Sequence, residues 1–219
     1  ETQVIKIEYK KSIKVIKLNL IGKIQLKNIL MAIIAAKESN LSLDRIFKVL
    51  PKITPVEGRS EKIGRIKNNS KVILDYAHTP EALKTCLLNL RDQFKYKKIS
   101  LLFGCGGNRD QNKRSKMGRI ASKYSDKIYL TDDNPRYENP NKIRGDIKKG
   151  ISNQKIIEIS DRSKAIFKAI KDLNSGEILL IAGKGHEKTQ DLGDKKIFFS
   201  DKQVILNSIR KKNQNLSYR

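Results

Sequence analysis

Apolar runs of strand length alternate with amphipathic stretches of helix length along most of this chain, and few folds accept that pattern. Strand-like runs fall near 98–103, 127–131, 155–159 and 177–182, and helical patterns near 113–124, 140–150, 161–173 and 201–211. Buried strands separated by roughly 10–15 helical residues pair in parallel through crossovers, with helices covering both faces of the sheet. The expected class is therefore α/β with a mostly parallel sheet. A hairpin-like pair at 61–66 and 71–75, turning around Asn68-Asn69-Ser70, precedes the alternation. A helix then starts with Thr79 as N-cap and Pro80 at the first helical position, and carries the stripe Leu83, Cys86, Leu87, Leu90 and Phe94. Leu192-Gly193-Asp194 and Ile197-Phe198-Phe199 read as a late hairpin.

The first residues read differently. Alternation in Val4-Ile5-Lys6-Ile7-Glu8-Tyr9 and in Ile13-Lys14-Val15-Ile16-Lys17-Leu18 predicts two β-segments within residues 3–20. A helix over 26–37 would carry Leu26, Ile29, Leu30, Ile33 and Ile34 on one face. A second runs over 43–50 with Ser42 as N-cap. Residues 51–59, with two prolines and a glycine, are the candidate domain boundary.

At 219 residues the chain is one large domain or one and a half ordinary ones. It has no run of about 18 apolar residues to cross a membrane and no signal-peptide pattern. It does not begin with Met, which reads as a fragment or a processed product. Two cysteines make neither a disulfide framework nor a zinc site, and a reducing cytoplasm fits them. The net charge of +24 invites a nucleic-acid reading. Yet the lysines spread over the whole chain, from Lys10-Lys11 to Lys211-Lys212, with no dominant block. The Phe and Tyr residues read as core or strand positions rather than base-stacking platforms. A solvated basic surface that favours small anionic substrates is the better reading. Salt-dependent binding to mixed-sequence DNA would distinguish the two.

Function is concentrated in polar loops that follow the apolar runs. Asp75-Tyr76-Ala77-His78-Thr79-Pro80 offers a carboxylate, an imidazole and a hydroxyl at a helix mouth, suited to a ribose or a phosphate. A capped turn explains Thr79 and Pro80 but leaves Asp75 and His78 unexplained. Phe103-Gly104-Cys105-Gly106-Gly107-Asn108-Arg109-Asp110 matches neither the dinucleotide nor the P-loop glycine pattern, and its Arg109 is a fork for a carboxylate or phosphate. Asp133-Asn134-Pro135-Arg136 sets an anion, an amide and a guanidinium on a stiff turn. It suits a zwitterionic amino acid, with an Asx-Pro turn bearing a surface salt bridge as the plain alternative. Gly183-Lys184-Gly185-His186-Glu187 follows the most apolar run and adds a cation, an imidazole and a carboxylate. In an open α/β sheet such loops gather beyond the strand ends, where ligands bind.

In this order, the segments DYAHTPEAL, LLFGCGGNRDQNKRSKMG, TDDNPR and IAGKGHE resemble the C-terminal part of the Mur ligases, and among them the members that add meso-diaminopimelate. The resemblance implies a Rossmann-like C-terminal domain at 56–219, preceded at 1–55 by the end of a central ATPase domain. It implies ATP-dependent amide formation, in which the D-glutamate carboxylate of UDP-MurNAc-L-Ala-D-Glu is phosphorylated and the amine of diaminopimelate attacks the acyl phosphate. Mg2+ is an implied cofactor, with its ligands and the P-loop expected upstream, so no catalytic or metal residue is expected here and the chain alone would be inactive. The resemblance assigns Arg109, Asp133, Asn134, Pro135, Arg136, Gly183 and Glu187 to diaminopimelate, with Arg136 on its distal carboxylate. It assigns Asn28, Arg59, Asp75 and His78 to ATP. Gln25, Ile24, Asn108 and Ser60 depart from the family's usual residues. A related amide ligase of other amino-acid specificity, such as a lysine-adding or folylpolyglutamate type, is the alternative. No nucleic-acid or membrane partner is expected.

Overall fold

The structure, a computed structural model, describes residues 3–9, 12–152 and 156–217. The chain divides into two compact units, residues 1–56 and 57–219.

The first unit opens with strands β1 (Gln3–Tyr9) and β2 (Ser12–Leu18), paired antiparallel with Ile5 opposite Ile16. Helices α1 (Lys23–Glu38) and α2 (Leu43–Val49) follow, and a 3-10 turn at Leu50–Lys52 closes the unit. Its core is Ile16, Leu18, Leu20, Ile29, Ile33, Ile46 and Leu50. The apolar stripe on α1 is only partly covered. Leu30 and Ile34 are each 53% exposed, and only Ile29 and Ile33 are buried. A two-stranded sheet and one short helix cover only a narrow band of a helix, and positions 30 and 34 lie about 100° further round it. α1 also starts three residues before the expected position. Its N-cap is Gly22, without a side-chain bond, so no polar cap marked the start. Ser42 does occupy the N-cap position of α2, with extended backbone, but its side chain caps nothing.

The second unit is a doubly wound sheet. Its strands are β3 (Glu61–Lys62), β4 (Lys71–Asp75), β5 (Ile99–Phe103), β6 (Lys127–Leu130), β7 (Ile156–Glu158) and β8 (Ile178–Ala182). The spatial order is β3-β4-β8-β5-β6-β7. β3 is an antiparallel edge, and the other five are parallel. The first arm of the early hairpin is thus shorter than the expected 61–66: two residues pair, and one further bond runs from Ile63 N to Val72 O (2.9 Å). The helices are α3 (Pro80–Gln93), α4 (Asn112–Tyr124), α5 (Pro140–Lys148), α6 (Arg162–Asp172) and α7 (Asp201–Asn215). Four have side-chain N-caps: Thr79, the expected one, accepts from Ala82 N, Asn139 from Asn141 N, Asp161 from Lys164 N, and Ser200 from Gln203 N.

The connections run outward from β4 to β5, β6 and β7, then return to β8 between β4 and β5. Right-handed crossovers place helices on one face going out and on the other coming back. Accordingly α3 packs on α4 and α4 on α5, while α6 packs on α7. Alternate residues Val72, Leu74, Leu102, Tyr129, Leu179 and Ile181 meet Ala165, Ile166, Ala169, Ile170, Ile205 and Ile209 in one core. The reversal at β8 is a topological switch, which opens a crevice at the carboxyl edge of the sheet.

The late hairpin is displaced from its expected place. Its arms are β9 (Thr189–Asp191) and β10 (Lys196–Phe198), and Leu192-Gly193-Asp194 is the turn, with Gly193 at φ 90. The polar arm Thr189-Gln190-Asp191 has no strand-like apolar alternation to mark it in the sequence.

Candidate functional site

Because β4, β5, β6 and β8 are parallel, the four loops that follow them open at the same sheet edge. The loop after β6 lies directly on the glycine-rich turn after β5. Gly107 N donates to Asn134 O (2.9 Å), and a Cβ on Gly107 would sit 1.9 Å from Pro135 O. The loop then reaches the loop after β8. Lys184, wholly buried, donates to Asn134 Oδ1 (2.8 Å) and to Glu187 Oε2 (2.9 Å). Asn134 Nδ2 donates to the same Glu187 oxygen (3.0 Å), and Asp191 N donates to Asn134 Oδ1 (3.0 Å). Burial works against the Glu187 carboxylate, but the Lys184 and Asn134 hydrogen bonds outweigh it and hold its pKa below the usual range.

Asp133 is buried beside this net. Gly183, at φ 116, lies so close that an added Cβ would stand 2.7 Å from Asp133 Oδ2. Desolvation pushes the Asp133 pKa up, partly opposed by the charges of Arg162 and Lys184. Arg136 sits in the left-handed region at φ 52, where a side chain is strained. Its Nη1 donates to Gly107 O (2.8 Å), its Nε lies 3.6 Å from Asp191 Oδ2, and its backbone N donates to Asp191 O (3.0 Å). Arg109 is exposed on the neighbouring turn. The expected residues Asp133, Asn134, Pro135, Arg136, Gly183 and Glu187 thus meet in one place, with Arg109 on the adjoining loop.

The loop after β4 carries a second cluster. Asp75 Oδ2 accepts from Ser60 N (2.7 Å) and Ser60 Oγ (3.1 Å), and its Oδ1 accepts from Ala77 N (2.8 Å). Arg59 lies over the Tyr76 ring at 4.6 Å, and the rings of His78 and His186 flank the same tyrosine at 4.6 and 5.3 Å. His78 Nδ1 donates to Tyr76 O (2.9 Å), and Lys113 donates to His78 O (2.9 Å). Arg59, Asp75 and His78 are therefore neighbours. Asn28, the fourth residue expected there, lies exposed on α1 in the first unit, where its Nδ2 donates to Gln25 Oε1.

Two buried arginines brace these loops, and neither carried a sequence signal. Arg162 pairs with Asp201, both fully buried, and also donates to Ala182 O (3.1 Å) and Asp132 O (3.4 Å), joining the ends of β8 and β6. Arg114 grips Glu138 in a bidentate pair, 2.7 Å on each side, while Glu138 also accepts from Asn108 N (3.0 Å). The Arg114 hydrogen bonds bring the Glu138 pKa down to about 2. A depressed carboxyl contributes stability that is complete above its unfolded pKa of 4.5 and is lost as pH falls toward about 2. Wild type should therefore lose thermal stability across that window more steeply than Glu138→Gln. Parallel Tm-versus-pH curves for the two proteins would contradict this.

Among the described residues no group of three or more His, Cys, Asp or Glu is placed to hold a metal ion, and no helix is long and apolar enough to cross a membrane. Lys184, Gln190 and Asp191 also belong to the site. Lys184 was visible only as a charge within its glycine loop. Gln190, which donates to Asp133 O (2.6 Å), and Asp191 lie on β9, the arm that was misplaced.

The strand order and the position of these loops define a doubly wound α/β domain with its polar groups at the switch point. Residues 58–185 match the family described as "Mur ligase, glutamate ligase domain", and the chain belongs to the Mur ligase family. Its curated relatives include the UDP-N-acetylmuramoyl-L-alanyl-D-glutamate--2,6-diaminopimelate ligases of Rickettsia felis and of Buchnera aphidicola subsp. Schizaphis graminum. Each is 42% identical, over 85% and 88% of this chain. The chain spans only 35% and 39% of the length of those two proteins. A solved structure of a ligase with the same name aligns over 99% of this chain and 43% of its own, with a TM-score of 0.70 and 31% identity. The MurF ligase of Thermotoga maritima in complex with ADP shares the fold, with a TM-score of 0.64 at 18% identity over 98% of this chain and 44% of its own.

Proposed function

We propose that this chain is the amino-acid-accepting part of a ligase that adds meso-diaminopimelate to UDP-MurNAc-L-Ala-D-Glu in the cytoplasm, as a step of peptidoglycan synthesis. On this reading residues 56–219 are the C-terminal domain and residues 1–55 the end of the central ATP-binding domain. The observation that carries the reading is the meeting of Asp133, Asn134 and Arg136 with Gly183 and Glu187 across two loops. A zwitterion with an additional carboxylate needs anions for its ammonium and a guanidinium for its extra acid. Glu187 and Asp133 supply the first, and Arg136, with Arg109 nearby, supplies the second.

Bound ATP would supply the phosphoryl group that activates the acceptor carboxylate. The residues of the β4 loop fit a nucleotide: Arg59 and His78 offer a cation and an exposed ring, and Asp75 Oδ1 keeps a lone pair beyond its bond from Ala77 N. The role of this chain is then to orient the incoming amine and to hold the nucleotide from one side. Asn28 and Mg2+ binding belong, on this reading, to the central domain.

In a ligase containing this chain, ATP-dependent ligation should proceed with meso-diaminopimelate and fail with L-lysine or L-glutamate. The 219-residue chain by itself should release no phosphate from ATP above a blank preparation. Preference for lysine or glutamate would instead favour the lysine-adding or folylpolyglutamate type.

A further inference from the structure

Lys184 is the one lysine among the fully buried large side chains of the described residues. A buried ammonium is costly unless it is paired and hydrogen-bonded, and Lys184 is both. We propose that Lys184 is the positioning residue that preorganises the amino-acid site for the ligand ammonium, an inference that rests on the function proposed above.

Its ammonium and Asp191 N both point at Asn134 Oδ1, while Glu187 Oε2 faces Asn134 Nδ2. Two donors on one side and a carboxylate on the other dictate the orientation of that amide. Lys184 and Asn134 together claim Glu187 Oε2 and fix its carboxylate. Glu187 Oε1 has no partner among the described residues, so one oxygen of a clamped carboxylate is kept for the ligand ammonium. Gly183 and Gly185, both at positive φ, flank the lysine and let its backbone turn inward under the loop. Lys184 need not touch the ligand. It converts two flexible side chains, one on each loop, into a single preorganised surface, which reduces the ordering cost of binding.

The test uses the whole 219-residue chain, 15N-labelled, titrated with meso-diaminopimelate and separately with L-lysine. Lys184→Met should weaken diaminopimelate binding about tenfold or more, the loss of a charge-assisted contact. It should also shift and deprotect the Asn134 side-chain NH2 resonances before any ligand is added. Lys184→Arg, which keeps the charge and can reach both acceptors, should restore a substantial part of both. Lys184→Met and Glu187→Gln should combine non-additively, because the lysine acts through the glutamate. Diaminopimelate affinity within twofold of wild type in Lys184→Met, or unchanged Asn134 resonances, would overturn the proposal while leaving the functional reading standing. If wild type itself does not distinguish diaminopimelate from lysine, the functional reading falls and takes the proposal with it. Should Lys184→Met not fold, as judged by circular dichroism, the Lys184→Arg titration and the Glu187→Gln resonances decide: wild-type Asn134 signals in Glu187→Gln would overturn it.

Discussion

Arg136→Ala should lower kcat/KM for meso-diaminopimelate by two to four orders of magnitude in a ligase containing this chain, with little change in KM for ATP. A bidentate guanidinium–carboxylate contact contributes two charge-assisted hydrogen bonds, each about 1.5–3 kcal/mol when lost. Lysine has no carboxylate for this fork, and sites built for a polar group reject analogues lacking it by about 10⁴-fold. The preference for diaminopimelate over lysine should therefore collapse in the same variant. The fork is held before the ligand arrives. Gly107 O accepts from Nη1, Asp191 lies beside Nε, and the strained φ of 52 is tolerated to aim the side chain. Arg136→Lys should not rescue, because an ammonium cannot reproduce the planar contact. Steady-state kinetics with both amino acids decide the matter. Near-normal selectivity in Arg136→Ala would remove the main support for the assignment.

Asp201→Ala should be among the most destabilising single substitutions in the second unit. Asp201 and Arg162 are both fully buried, and removing one partner leaves an uncompensated charge in the interior, at a cost of about 3–5 kcal/mol. Arg162 would still have Ala182 O and Asp132 O as acceptors, but of its carboxylate neighbours only Asp133 and Glu187 would remain, acting through space without a hydrogen bond. The double variant Arg162→Met/Asp201→Ala removes both charges and should recover much of the loss. Urea unfolding of wild type and the three variants measures this. A single-variant loss under about 1 kcal/mol, the range of an exposed pair, would show that the bridge is not shielded as described.

The fold was legible where burial on both sides of a strand left a continuous apolar run. β4, β5, β6 and β8 announce themselves in this way, and polar N-caps such as Thr79 and Asp161 mark where helices begin. Legibility failed where geometry overrides pattern. Leu30 and Ile34 look like core on a helical wheel, yet each is 53% exposed. The arm Thr189-Gln190-Asp191 pairs through its backbone alone. At the site, the residue types were readable and their partnerships were not. Nothing in the one-dimensional string says that Lys184 turns inward while Lys188 turns outward, or that Arg162 and Asp201, which look like ordinary helix-start charges, meet in the interior. Asn28 illustrates the opposite limit, since its assignment came from resemblance and it belongs to a unit of its own.

The turn Gly104-Cys105-Gly106-Gly107 has the look of a phosphate cradle, and its position suggests a different office. β6 and β8 are not neighbours; β5 lies between them, so their loops can join only by passing over its end. An added Cβ would strike Thr131 O at 2.2 Å from Gly104 and Pro135 O at 1.9 Å from Gly107. What this turn provides is clearance. Its glycines work as an underpass, and a single methyl there would part the two halves of the site without altering any group that bears its chemistry.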